Sequence, residues 1–133
     1  MKKYLQKLGH AAYKASLYKV DTKIKNKVLL KFSYLLKKNA SKILRQNNKD
    51  IKFAKIKNVN KNLITRLEIN KPKLDSIIKT IIEITKLKDP VGVILDKWQR
   101  PNGLRIKKIS IPIGVIGVIY ESRPNVTADV AAL

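Results

Sequence analysis

Residues 111–133, IPIGVIGVIYESRPNVTADVAAL, restrict the possible folds more than any other stretch. Val115 to Tyr120 is a short apolar run with almost no charge, punctuated by Gly114 and Gly117. A continuous apolar strand is one buried on both faces, the usual situation in a parallel sheet under helices. The polar turn Glu121-Ser122-Arg123-Pro124-Asn125 follows, then Val126 to Leu133, a small-residue segment of good helix formers. Strand, polar turn and helix are half of a βαβ unit. Ligands in such sheets sit at the carboxyl ends of strands, so this turn is the first place to look for chemistry.

The chain ahead of it reads as helices. Leu5, Leu8, Ala12, Ala15 and Ser16 fall at roughly helical spacing, predicting an amphipathic helix from Met1 to about Lys19. Val20-Asp21-Thr22 offers an N-cap for a second helix, whose inner face is Val28, Leu29, Phe32, Leu35 and Leu36. A break is expected near Asn39-Ala40-Ser41, with Ile43 and Leu44 continuing the buried face. Asn47-Asn48-Lys49-Asp50 reads as a turn or a cap, and 51–57 as a separate short helix. Leu63, Ile64 and Leu67 mark another. Asn70-Lys71-Pro72 starts a helix carrying Leu74, Ile77, Ile78, Ile81 and Ile82, and Asp89-Pro90 ends it. Two strands then follow, Val93 to Arg100 and Leu104 to Ile111. Pro101-Asn102-Gly103 between them has hairpin chemistry, and the imperfect alternation of the second strand leaves room for a bulge.

The expected fold class is α/β. A helical layer (1–89) precedes a hairpin (90–111), and 112–133 is the opening strand–turn–helix of a parallel α/β domain that the chain leaves incomplete.

Composition narrows the chemistry. There is no Cys, hence no disulfide, no thiolate metal site and no cysteine nucleophile. No metal is expected. No apolar run reaches the ~20 residues that span a bilayer, and the basic start lacks the unbroken apolar centre of a secretory signal. A cytoplasmic protein without a membrane partner is the expectation. The net charge of +21 admits two readings. One is a non-catalytic basic helical module that binds nucleic acid or a protein partner, since lysines neutralise phosphates. The other is codon bias. Only five of the 30 basic residues are Arg, and the lysines accompany many Asn and Ile, all with AT-rich codons. The lysines also occupy every segment instead of one stripe with interleaved aromatics, which favours the second reading and no specific nucleic-acid partner.

Asp89-Pro90-Val91-Gly92, Arg100-Pro101-Asn102-Gly103-Leu104 and the run from Ile111 to Thr127 with its YESRPNVT motif together resemble the gamma-glutamyl phosphate reductase (glutamate-5-semialdehyde dehydrogenase) family of the aldehyde dehydrogenase superfamily. The similarity is tightest from Pro90 to Leu133. It is looser but present in the helical half, as at Leu63 to Leu67. The resemblance is to the N-terminal portion of the family.

It implies that L-glutamyl 5-phosphate is reduced by NADPH to L-glutamate 5-semialdehyde, with release of phosphate, in proline biosynthesis. It also implies a covalent route. A cysteine thiolate attacks the acyl phosphate, hydride reduces the thioester, and the hemithioacetal collapses to the aldehyde. A homo-oligomer is implied for the complete enzyme, with the hairpin as a joining element, as is coupling to glutamate 5-kinase.

By the same resemblance Asn125 is the oxyanion donor, although two extra residues lie between strand and Asn relative to ordinary aldehyde dehydrogenases. The bland alternative is that Asn125 only caps the helix starting at Val126. Arg123 is the substrate-binding candidate, through a carboxylate or phosphate. Its alternative is a salt bridge to Glu121 or Asp129. Ile119, Tyr120, Glu121 and Ser122 are placed at the cofactor's edge. Gly114 and Gly117 are expected to serve turning and packing, since no GxGxxG is present. His10, the single histidine, reads as a surface or packing residue, Trp98 as a hairpin anchor, and Glu68 and Glu83 as solvated helix positions. Without a cysteine, residues 1–133 alone are expected to be inactive. A truncated gene product, an incomplete sequence or a decayed gene fragment is expected.

Overall fold

A computed structural model describes residues 2–121 and 123–133. It contains helices α1 (Lys2–Ser16), α2 (Thr22–Lys38), α3 (Ala40–Ile56), α4 (Lys61–Leu67) and α5 (Lys71–Ile84), strands β1 (Ile94–Gln99) and β2 (Arg105–Ile109), and helix α6 (Pro124–Ala132). The chain forms two compact units. One is Met1–Val20 with Lys88–Gly117, and the other is Asp21–Leu87 with Val118–Leu133.

In the second unit the helix starts follow their caps. Asp21 Oδ1 accepts the Ile24 N–H at 2.8 Å, and Asn70 Oδ1 accepts the Lys73 N–H at 2.9 Å. Each satisfies one of the N–H groups that a helix start leaves unpaired. Pro72 stands in the first turn of α5, where its missing N–H costs nothing. The expected break falls at Asn39, whose backbone N–H and side-chain amide both reach the Leu35 carbonyl.

Two helical expectations need correction. Asn47 to Asp50 is not a turn, because α3 runs through it to Ile56. Asn47 points inward. Its Nδ2 donates to the Leu67 carbonyl at 2.9 Å, and its Oδ1 accepts the Ile69 N–H at 2.7 Å. A fully bonded buried amide outweighs the modest helix propensity of Asn. Helix α5 stops at Ile84, short of Asp89. Thr85, Lys86 and Leu87 each donate to a carbonyl three residues back, and such bonds tighten a last turn into 3₁₀ geometry.

The core of this unit is Leu29, Ile77, Ile81 and Ala128, flanked by Phe32, Leu36, Ile84 and Ala132. It joins α2, α5 and α6. The alanines of α6 let that helix lie close against α5. Asn26 of α2 adds a bond from its Nδ2 to the Thr85 carbonyl at 3.1 Å.

In the first unit β1 and β2 pair antiparallel, with Trp98 opposite Ile106. The ladder steps from Ile94–Ile109 to Asp96–Lys108, so the bulge lies in β1 at Leu95. The imperfect alternation had pointed to β2. The Pro101-Asn102-Gly103 turn closes as its residues predict. Gly103 has φ +83°, its N–H donates to the Arg100 carbonyl at 2.9 Å, and the Leu104 N–H reaches Asn102 Oδ1 at 3.1 Å. Ser110 ties the hairpin base, with its Oγ bonded to the Pro90 carbonyl. Helix α1 buries none of its described residues.

The apolar run does not form the expected strand. Residues 112–121 carry no regular hydrogen-bonded structure, and Ile116 is 64% and Ile119 fully exposed. A strand needs a ladder partner, and among the described residues the only ladder is β1–β2.

Candidate functional site

Arg123, Pro124 and Asn125, at the start of α6, face a groove of about 450 Å3 in the second unit. Residues of α4, the α4–α5 link and α5 line one side (Arg66, Glu68, Lys73, Ser76), and Arg123, Asn125 and Asp129 line the other. Two features bring these sides together. The Asn47 amide fixes the Leu67–Ile69 link. The core cluster that holds Ile77, Ile81 and Ala128 seats α6 on α5.

Helix α6 begins two residues earlier than expected. Arg123 is its N-cap residue, without a side-chain cap bond, and Pro124 occupies the first turn. Asn125 therefore lies inside the helix and does not cap it. Its Nδ2 contacts Asp129 Oδ2, one turn along, at 3.3 Å. An amide nitrogen carries two hydrogens. The Asp129 contact orients the group with one of them and leaves the other for a ligand.

Arg123 forms no ion pair with Glu121 or Asp129 among the described residues. Arg123 lines the groove. Lys73, the third cation there, is committed to the backbone: its Nζ donates to the Glu68 carbonyl at 2.9 Å and the Thr65 carbonyl at 3.4 Å. That is a favourable place for a cation, at the C-terminal end of α4.

The residues placed at a cofactor's edge behave differently. Ile119 and Glu121 are exposed, and neither lines the groove. The Tyr120 hydroxyl is bonded to Thr127 Oγ1 at 2.8 Å. Alone, these residues do not fit a dinucleotide, which needs a cradle for its phosphates and a wall for its ring. Ser122 lies outside the described residues. Among the described residues no cluster of His, Cys, Asp or Glu could hold a metal, and no helix is long and apolar enough to cross a membrane.

Arg66, Glu68 and Asp129 line the groove although none was expected at a site: Glu68 was expected as a solvated helix position and Asp129 only as a salt-bridge partner for Arg123. Arg66 lies within the Leu63 to Leu67 run and Glu68 just after it, with nothing local to mark either as a site residue. Asp129 could have been found, since i and i+4 share one helix face.

Known proteins place this arrangement. A gamma-glutamyl phosphate reductase from Nitratiruptor sp. is 47% identical over 133 residues, all of this chain and 32% of that protein. The chain matches the N-terminal portion of gamma-glutamyl phosphate reductase. The corresponding reductase of Nautilia profundicola is 44% identical over the same length. Two solved structures of the enzyme agree. That from Thermotoga maritima superposes with a TM-score of 0.82 at 39% identity, covering 92% of this chain and 30% of that one. That from Saccharomyces cerevisiae gives 0.90 at 32%, covering 96% and 33%. No family model matches the chain. The chain spans about a third of the length of the curated relatives it matches. The helices and the two-stranded antiparallel hairpin are consistent with an incomplete α/β domain.

Proposed function

We propose that this chain contributes to the NADPH-dependent reduction of L-glutamyl 5-phosphate to L-glutamate 5-semialdehyde, with release of phosphate, in cytoplasmic L-proline biosynthesis. The observation that carries the reading is the similarity to gamma-glutamyl phosphate reductases along the whole chain. The groove adds to it, because Arg123 and Asn125 line it together.

A nicotinamide cofactor supplies the hydride in this proposal. Residues 119–121 contribute at most an edge to its site. The chain has no cysteine, so the thiolate that attacks the acyl phosphate comes from outside residues 1–133. What these residues offer is positioning and charge. Asn125 donates its remaining amide N–H to the oxygen that becomes negative as the acyl carbon turns tetrahedral. Asp129 holds that amide in place. Arg123 receives an anionic group of the substrate, a task suited to a planar guanidinium. A homo-oligomer joined through the hairpin, and coupling to glutamate 5-kinase, belong to the same reading.

A chimera tests it. Residues 1–133 replace the corresponding third of the Nitratiruptor reductase, and NADPH oxidation is followed with L-glutamyl 5-phosphate. Turnover is the expected result, and Asn125→Ala should lower kcat by roughly 10²–10³, the scale of one oxyanion donor. A folded chimera without activity rejects the reading, and an active Asn125→Ala variant at near-normal rate rejects the role of Asn125.

A further inference from the structure

The groove carries both signs of charge on its lining. Arg66 and Arg123 are cationic, and Glu68 and Asp129 are anionic. Among the described residues none of these four side chains is in an ion pair, whereas Lys71 pairs with Asp75 and Lys86 with Glu83. Lys73, by contrast, already has its carbonyl partners. Two cations and two anions thus share one concave surface without neutralising one another at contact distance.

Such a lining suits one kind of ligand. A simple anion gains from the arginines but is repelled by the carboxylates, and a simple cation meets the reverse. A zwitterion satisfies both sets. The head group of an α-amino acid carries a carboxylate and an ammonium on a single carbon.

We infer that the groove recognises the α-amino-acid end of the substrate. Arg66 and Arg123 receive the α-carboxylate, and Asp129 with Glu68 receives the α-ammonium. This rests on the function proposed above and deepens it, because it says which part of the substrate this chain reads. The spacing fits. Asp129 and Asn125 lie one turn apart on α6 and touch at 3.3 Å. One turn rises about 5.4 Å, and an extended glutamyl group spans roughly the same distance, about 5 Å, from its α-ammonium nitrogen to its reacting carbonyl carbon. With the ammonium at Asp129, that carbonyl falls near Asn125. A carboxylate accepts several hydrogen bonds, so Asp129 can orient Asn125 through one oxygen and meet the ammonium with the other.

The test compares L-glutamyl 5-phosphate with glutaryl phosphate, which lacks only the amino group, in the chimera described above. The unsubstituted chimera should prefer the amino substrate in kcat/KM by roughly 10–100-fold, the range of a hydrogen bond to a charged group. Asp129→Asn keeps an oxygen for Asn125 but loses the charge. It should raise KM for the amino substrate far more than for glutaryl phosphate and erase most of the preference. Arg66→Met should raise KM for both substrates, since both keep the carboxylate. The inference is overturned if Asp129→Asn with Glu68→Gln leaves the preference intact, or if Arg66→Met leaves both KM values unchanged in an active chimera.

Should the chimera prove inactive, the proposed function fails and the groove is decided separately. Residues 1–133 are titrated with L-glutamate, glutarate and 4-aminobutyrate while the Arg66, Arg123 and Asp129 resonances are followed by NMR. Saturable binding of L-glutamate, at least roughly 10-fold tighter than either analogue, sustains the inference. Equal binding of glutarate, or none of L-glutamate, overturns it.

Discussion

Asn47 holds the least replaceable hydrogen bonds in the second unit. It is buried, and both ends of its amide bind the backbone that links α4 to α5. Removing it strands the Ile69 N–H and the Leu67 carbonyl. Asn47→Ala should therefore cost about 2 kcal/mol in urea unfolding of residues 1–133, by the usual penalty for orphaned buried groups. The exposed neighbour Asn48 is the control, and Asn48→Ala should change stability by less than about 0.5 kcal/mol. Equal effects would show that Asn47 is no tether.

Legibility varies with the reach of each residue's partners. Asp21 and Asn70 announced their roles because a cap binds three residues ahead. Asn47 did not, because its partners are 20 and 22 residues away. The groove divides the same way. Arg123 and Asn125 stood out in a motif, whereas Arg66 and Glu68 became site residues only through the packing that carries α4 and its link toward α6.

At the level of elements, α5 is the organiser. It contributes Ile77 and Ile81 to the core shared with α2 and α6, and Lys73, Ser76 and Thr80 to the groove. Ile81 is 1% exposed. Ile81→Ala should destabilise residues 1–133 by about 3 kcal/mol, from lost burial and the cavity left behind. Urea melts measure it, and a loss below about 1 kcal/mol would mean that the three helices do not pack as described. Helical period identified this element despite its many isoleucines, because Leu74, Ile77, Ile78, Ile81 and Ile82 repeat at one face. The apolar run at 115–120 shows what such patterns lack. Alternation and hydrophobicity report a preference for burial, but a strand exists only through its neighbours.

For the molecule as a whole, charge and exposed apolar surface oppose each other. Ile111, Ile113, Ile116 and Ile119 are between 64% and 103% exposed, enough to draw copies together. The net charge of +21 keeps them apart until salt screens it. Residues 1–133 should be monodisperse in dilute buffer and self-associate, binding more ANS, as salt rises to about 0.5 M. Ile113→Lys with Ile119→Lys should suppress this without lowering unfolding stability by more than about 0.5 kcal/mol. Association that weakens with salt would reverse the explanation.

The hairpin turn bears on the same molecule over a longer time. Asn-Gly is the sequence most prone to deamidation, because the glycine nitrogen can attack the asparagine side chain and close a succinimide. Here the Gly103 N–H is held by the Arg100 carbonyl, and Asn102 Oδ1 is held by the Leu104 N–H. The attacking nitrogen is engaged while the strands stay paired. Peptide mapping of aged protein should find isoaspartate at position 102 accumulating faster once Gln99 and Arg105 are replaced by proline to fray the ladder. An unchanged rate would mean that the turn gives no protection. The bonds that shape this turn thus also act as a clock on the protein's chemical ageing.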